Sequence, residues 1–153
     1  MTERLFDLTF YLAVPFWALM IFVPFWSWTR RIIGSPYIVV PPLVVWLVQL
    51  LPEFGSWAAE MVSPDLDGVR AAVSTAVGTS AVWAHLIAFD LFIGRWMFFD
   101  SRTRGIHPLV MAPVLVLTIL LSPLGLGVYL LLRLVPGIGR RTPAVDQQAV
   151  SVH

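Results

Sequence analysis

The residues best suited to chemistry stand five positions apart. His85 and Asp90 fall within the run W-A-H-L-I-A-F-D-L-F-I-G-R-W from Trp83 to Trp96. A carboxylic acid and an imidazole together make a general acid–base pair. Between Arg70 and Arg95 lie 24 residues without charge, Asp90 excepted. An ionisable group at the middle of an apolar helix costs on the order of 2.5–3.5 kcal/mol unless a partner or water meets it. Asp90 therefore has two readings: a proton-handling group, or a structural lock bonded to neighbouring helices. His85, inexpensive when neutral, reads first as structural. On an ideal helix the two project about 140° apart. They serve one substrate only if it wraps the helix or the helix is distorted.

The setting of these residues is lipid. The chain has 153 residues, 58% hydrophobic and only 12% charged, with a mean hydropathy of +0.82. A soluble domain carries about a quarter charged residues. All ten basic residues are Arg and the net charge is +1, so no basic surface argues for nucleic acid. Cysteine is absent, which excludes disulfides, thiolate metal sites and cysteine nucleophiles. His85 and His107 fall at different depths and do not suit one haem iron. No cofactor and no metal are expected.

Charges divide the chain into apolar stretches. Uncharged runs of 22, 21 and 28 residues separate Asp7 from Arg30, Arg31 from Glu53, and Arg104 from Arg133. With the Arg70–Arg95 run, each is long enough to cross a core of roughly 30 Å once. The expected fold is all-α: a polytopic bundle of about four transmembrane helices at 8–28, 37–54, 77–98 and 109–132. Residues 1–135 form one transmembrane domain, and 136–153 a polar, disordered tail. Gly34, Pro36, Pro41 and Pro42 delay the second helix to near Pro41. Ser63-Pro64 reads as the cap and first residue of a surface helix. Pro15, Pro24, Pro113 and Pro123 read as kinks.

Four spans put both termini on one side. The loop side then carries four arginines and the terminal side five, a near tie that leaves the positive-inside rule undecided. Arg30-Arg31, directly after an aromatic belt, leans toward the cytoplasm. The start of the chain lacks the features of a signal or transit peptide, which favours a bacterial inner membrane over a plastid.

Polar side chains recur on two helices. Ala72, Ala76, Ser80, Ala84 and Ala88 form a small-residue stripe fit for close helix packing. Thr118, Ser122, Gly125 and Tyr129 form a second stripe. An antiparallel hairpin turning near residue 103 pairs Asp90 with 116–118 and His85 with 121–122. Thr118, Ser122, Arg95, Trp83 and Trp96 are therefore candidate substrate-binding residues. Arg95 and Trp96 also read as a snorkelling cation and a belt residue.

Residues 83–102, then Pro108, then S-P-L-G-L-G-V-Y-L-L-L-R from Ser122 to Arg133, resemble the abscisic-acid-deficient-four-like family of small membrane proteins. The shared core is H-x-x-A-F-D-L-F-x-G-R-W, with Asp100, Pro123, Gly125 and Arg133 also matching. Plant members act in converting violaxanthin to neoxanthin in plastids. The resemblance implies an isomerase on a membrane-dissolved carotenoid or other isoprenoid; it supplies no catalytic set, and the residues at membrane depth offer Asp90 as acid and His85 as base. The alternative is a non-catalytic binding or assembly subunit holding a pigment or supporting a partner enzyme. A proton-coupled carrier ranks third. Expected partners are membrane lipid, a hydrophobic isoprenoid, and a second copy or a membrane partner protein.

Overall fold

The computed structural model describes residues 1–135. The tail at 136–153, expected to be disordered, lies outside them. Among the described residues the secondary structure is helical throughout.

Helix α1 (Thr2–Phe22) starts six residues ahead of the expected span and stops at Phe22. Pro24 ends it by disfavouring helical backbone at Val23. After this break, α2 (Ser27–Gly34) turns Thr29 and Ile33 inward and Trp28, Arg30 and Arg31 outward. A 3-10 turn at Pro36–Val39 leads into α3 (Val40–Leu50), and a second at Leu51–Glu53 into α4 (Phe54–Val62). Pro36–Val62 makes one apolar rod of 27 residues, longer than the expected 37–54. The surface helix α5 (Leu66–Ser74) is capped by Asp65, which accepts N–H bonds from Asp67 (3.0 Å) and Gly68 (2.9 Å). Ser63 was the expected cap. Asp65 supplies a carboxylate two residues later, and it takes that place.

Thr75 accepts the Gly78 N–H at 2.9 Å and opens α6 (Ala76–Thr103), 28 residues long. The chain breaks at Thr75, so Ala72 belongs to α5 and the small-residue stripe on α6 begins at Ala76. Its Ser80, Ala84 and Ala88 are buried. Phe6 stacks on Trp83 at 5.1 Å and the Trp17 ring covers Gly94, so α1 runs parallel to α6. Trp46 approaches His85 at 6.2 Å, and Leu43 lies beside Phe89 and Phe92, so α3 runs antiparallel to it. α1, Pro36–Val62 and α6 are the three helices long and apolar enough to cross a membrane. The protein is an all-α membrane bundle.

Gly105, at φ 71°, ends α6. Its N–H bonds to the Arg102 carbonyl and the Ile106 N–H to that of Ser101, the double closure that a left-handed residue allows. His107 Nδ1 then accepts the Leu109 N–H at 3.2 Å and caps α7 (Pro108–Leu120).

The expected fourth span, 109–132, is two helices. α7 ends at Leu120, Leu121 leaves the helical region (φ −148°, ψ 78°), and α8 (Ser122–Leu134) begins. Each has 13 residues, about 20 Å, too short for a core of roughly 30 Å. They fold back on one another: a Cβ on Gly125 would collide with the backbone and hydroxyl of Thr118, seven residues earlier. Along one straight helix those residues would lie about 10 Å apart. Tyr129 and Arg133 return to Asp100, near the end of α6. Pro123 is therefore in the first turn of a new helix, where its missing N–H does no harm, and does not kink an old one. Pro24 likewise separates two helices.

This return reverses the expected topology and sorts the charges. The amino terminus lies at one end of the bundle, and Val135 leaves from the other. Arg30, Arg31, Arg95, Arg102, Arg104 and Arg133 share the latter end with one carboxylate, Asp100. Arg4 and Arg70 share the amino-terminal end with Glu3, Asp7, Glu53, Glu60, Asp65 and Asp67. Among the described residues the arginines divide six to two, where four unbroken spans gave a near tie.

Candidate functional site

Asp90 is the fifteenth of the 28 residues of α6 and lies at mid-depth, half-buried. The break between α7 and α8 reaches the same depth. Ser122 at the start of α8 lies beside the Asp90 carboxyl, while its own buried Oγ has no hydrogen-bond partner. No ion pair reaches Asp90 among the described residues. One turn before the break, buried Thr118 donates to the Val114 carbonyl at 2.8 Å and touches Met97 Sδ at 3.9 Å. Its hydroxyl is thereby occupied, while that of Ser122 has nothing beside it but the Asp90 carboxyl.

The backbone adds to this polarity. Leu121 still bonds back to the Leu117 carbonyl, and its own carbonyl accepts the Leu124 and Gly125 N–H groups at 3.0 Å, so what the break leaves without intrahelical partners is the last carbonyls of α7. No side chain caps α8. Its positive end therefore opens at the level of Asp90. Non-helical backbone at membrane depth persists only against protein or a polar cavity, because lipid cannot bond it. A carboxyl, a hydroxyl and a helix start thus face one another. Together they can hold an oxygen atom of a hydrophobic molecule and move a proton to or from it.

His85 is not part of this arrangement. It is exposed on another face of α6, stacked on Phe89 at 4.5 Å. There it borders a groove of about 560 Å³ whose wall includes Trp46, Leu50, Phe54, Trp57 and Met61. The α6 helix is regular through both residues, so the separation expected from ideal geometry stands. The predicted pairing of depths also shifts. Ser122, not residues 116–118, meets Asp90, because α7 stops and the chain turns there.

The remaining sequence candidates are dispersed. Trp83 packs on Phe6 and leaves its buried Nε1 unpaired. Arg95 is tied to the backbone: its Nε and Nη2 donate to the Ile33 and Gly34 carbonyls at 2.8 and 2.6 Å, closing the end of α2. Trp96 meets Tyr129 edge-on at 5.5 Å, and the Arg133 guanidinium lies 5.3 Å over it. This last contact belongs to a cluster that sequence reasoning missed. Tyr129 Oη donates to Asp100 Oδ2 at 2.5 Å, and the same oxygen meets Arg104 Nε at 2.8 Å and Arg133 Nε at 3.2 Å. Asp100 so ties the returning α8 to the end of α6. The signal was available in Asp100 and Arg133, both family positions, which the sequence reading left unconnected. Among the described residues no group of three His, Cys, Asp or Glu is arranged to hold a metal.

Comparison with known proteins bears on this geometry. The family model described as ABA DEFICIENT 4-like matches residues 4–129, which takes in α1, Asp90, the hairpin break and Tyr129. The chain belongs to the ABA DEFICIENT 4-like family. The match reaches well beyond the carboxy-terminal motifs and includes the first two rods. A curated member, the chloroplast protein ABA DEFICIENT 4 of Arabidopsis thaliana, is 27% identical over 106 residues, 62% of this chain and 46% of that protein. The chain thus spans about half the length of the curated relative it matches. That relative is chloroplastic, so the comparison gives no support to a bacterial inner membrane. No solved structure matches.

Proposed function

We propose that this protein is an isomerase acting on a carotenoid or related isoprenoid dissolved in the membrane, with Asp90 as its proton donor. The observation that carries the reading is the meeting of Asp90, the Ser122 hydroxyl beside it and the start of α8 at one depth. The family resemblance supports the substrate class. In such a reaction an acid gives its proton to an epoxide oxygen, the C–O bond opens, and a neighbouring C–H proton leaves to a base. Substrate and product are isomers, so no electrons enter or leave. His85 lies on another face and is not the base of this reaction. The carboxylate formed when Asp90 gives up its proton is itself a base, and Ser122 stands where a proton passes between substrate and acid.

A second reading, a non-catalytic subunit that holds a pigment, draws on the aromatic groove beside His85. The groove has flat aromatic walls and a single imidazole, fit for contact and poor in proton donors. The two readings part in a deletion strain compared with its parent for pigments and isoprenoids. Accumulation of one isomer and loss of another supports the enzyme. An unchanged isomer ratio with lower total pigment supports the holder. The lineage of the membrane, bacterial or plastid, follows from the strain in which the deletion has an effect.

A further inference from the structure

The arginine-rich end of the bundle holds more positive charge than its one carboxylate can balance. Asp100 meets Arg104, Arg133 and Tyr129, all through Oδ2. Arg95 is spent on the carbonyls that close α2. Arg30, Arg31 and Arg102 have no carboxylate partner among the described residues. Arg102 is fixed in place: its guanidinium lies 4.3 Å over Phe98 and 5.9 Å from Phe25, and it donates to the Pro24 carbonyl. Arg30 is the fourth residue of α2, which begins three residues after the Pro24 that Arg102 bonds, so the fold brings the two cations to the same corner. Two like charges held together by a fold are relieved by an anion between them.

The surroundings say what kind of anion. The first turn of α2 follows Pro24 without a side-chain cap. Phe25, Trp26 and Trp28 are exposed around it, and the Arg31 guanidinium stacks 5.2 Å over Trp28. Exposed tryptophans with arginines on a short two-faced helix are the composition of a segment lying at headgroup level. A soluble phosphate compound has no use for that apolar rim; a phospholipid does.

We infer that Arg30 and Arg102 clamp the phosphate of an anionic phospholipid at this end of the bundle, with Arg31 adding charge and the aromatic rim meeting the acyl chains. Native mass spectrometry of the full chain in neutral detergent, titrated with phosphatidylglycerol or phosphatidylcholine, tests it. The wild-type protein should retain phosphatidylglycerol in preference to phosphatidylcholine. Arg30→Gln and Arg102→Gln should each weaken retention about five-fold, the effect of roughly 1 kcal/mol per arginine near a lipid surface. Arg4→Gln, at the opposite end, should leave it unchanged. Should Arg102→Gln fail to fold, Arg30→Gln, whose side chain is exposed, decides the matter alone. Undiminished retention by the variants, or equal loss with Arg4→Gln, overturns the proposal. Displacement of the lipid by inorganic phosphate at similar concentration also overturns it, in favour of a soluble anion.

Discussion

The three long rods and the α7–α8 hairpin are made of similar residues and do different work. In the rods the backbone runs unbroken, and close contact comes from small or flat side chains: Ala13, Ala84 and Ala88 buried, Trp17 laid over Gly94. The hairpin is as apolar, yet its backbone stops at mid-depth and its polar side chains gather there. Lipid tolerates the first arrangement anywhere and the second only where something polar answers it. The place where the hairpin breaks is therefore informative about function, while the places where the rods pack are informative about stability.

That contrast can be broken most completely by topology. Reporter fusions after Arg31, Arg104 and Val135 should all report one side, and fusions after Arg70 the other. A fusion after Val135 on the Arg70 side would restore four unbroken spans and dissolve the hairpin. The positive-inside rule, now counting six arginines against two among the described residues, predicts that the shared side is the cytoplasm or its organellar equivalent.

Next in size is Gly125→Leu. A side chain there meets the backbone of Thr118, which cannot yield as a flexible side chain would. The loss should exceed the usual 1–3 kcal/mol of core overpacking and appear as a large fall in detergent melting temperature. Asp100→Leu should follow, at about 2–4 kcal/mol, since two arginines and a tyrosine lose their shared acceptor. The half-exposed setting of Arg104 keeps it below a fully buried case. Ala84→Leu, in the rods, should cost about 1–3 kcal/mol by overpacking alone. Tyr129→Phe should be smallest, roughly 1–2 kcal/mol for one charge-assisted hydrogen bond with packing retained. If Ala84→Leu proves harsher than Gly125→Leu, the hairpin is not the tighter contact.

Much of this was legible in the residues. Uncharged runs placed three of the crossings, and the intramembrane Asp90 marked the depth of the candidate site. The hairpin was not legible because 28 uncharged residues between Arg104 and Arg133 look the same whether they cross once or turn back. The cue was Ser122-Pro123, a helix-start pair of the kind sought at Ser63-Pro64, hidden here within an apolar run. Long-range pairing hid the rest. Nothing local says that Tyr129 and Arg133 will find Asp100, or that Arg95 will close a helix some sixty residues away. The separation of His85 from Asp90 was legible in helical geometry, and the regular helix keeps them apart.

The proposed chemistry depends on Asp90 acting at the hairpin break, and Asp90→Asn tests that most directly. The amide keeps the shape and much of the hydrogen bonding but has no acidic proton to give. A deletion strain carrying the variant should hold protein at wild-type abundance and melting temperature, with the isomer pattern of the empty deletion. Full restoration of the parental pattern by Asp90→Asn, with failure only of Asp90→Leu through unfolding, would contradict the catalytic role and leave Asp90 a structural lock.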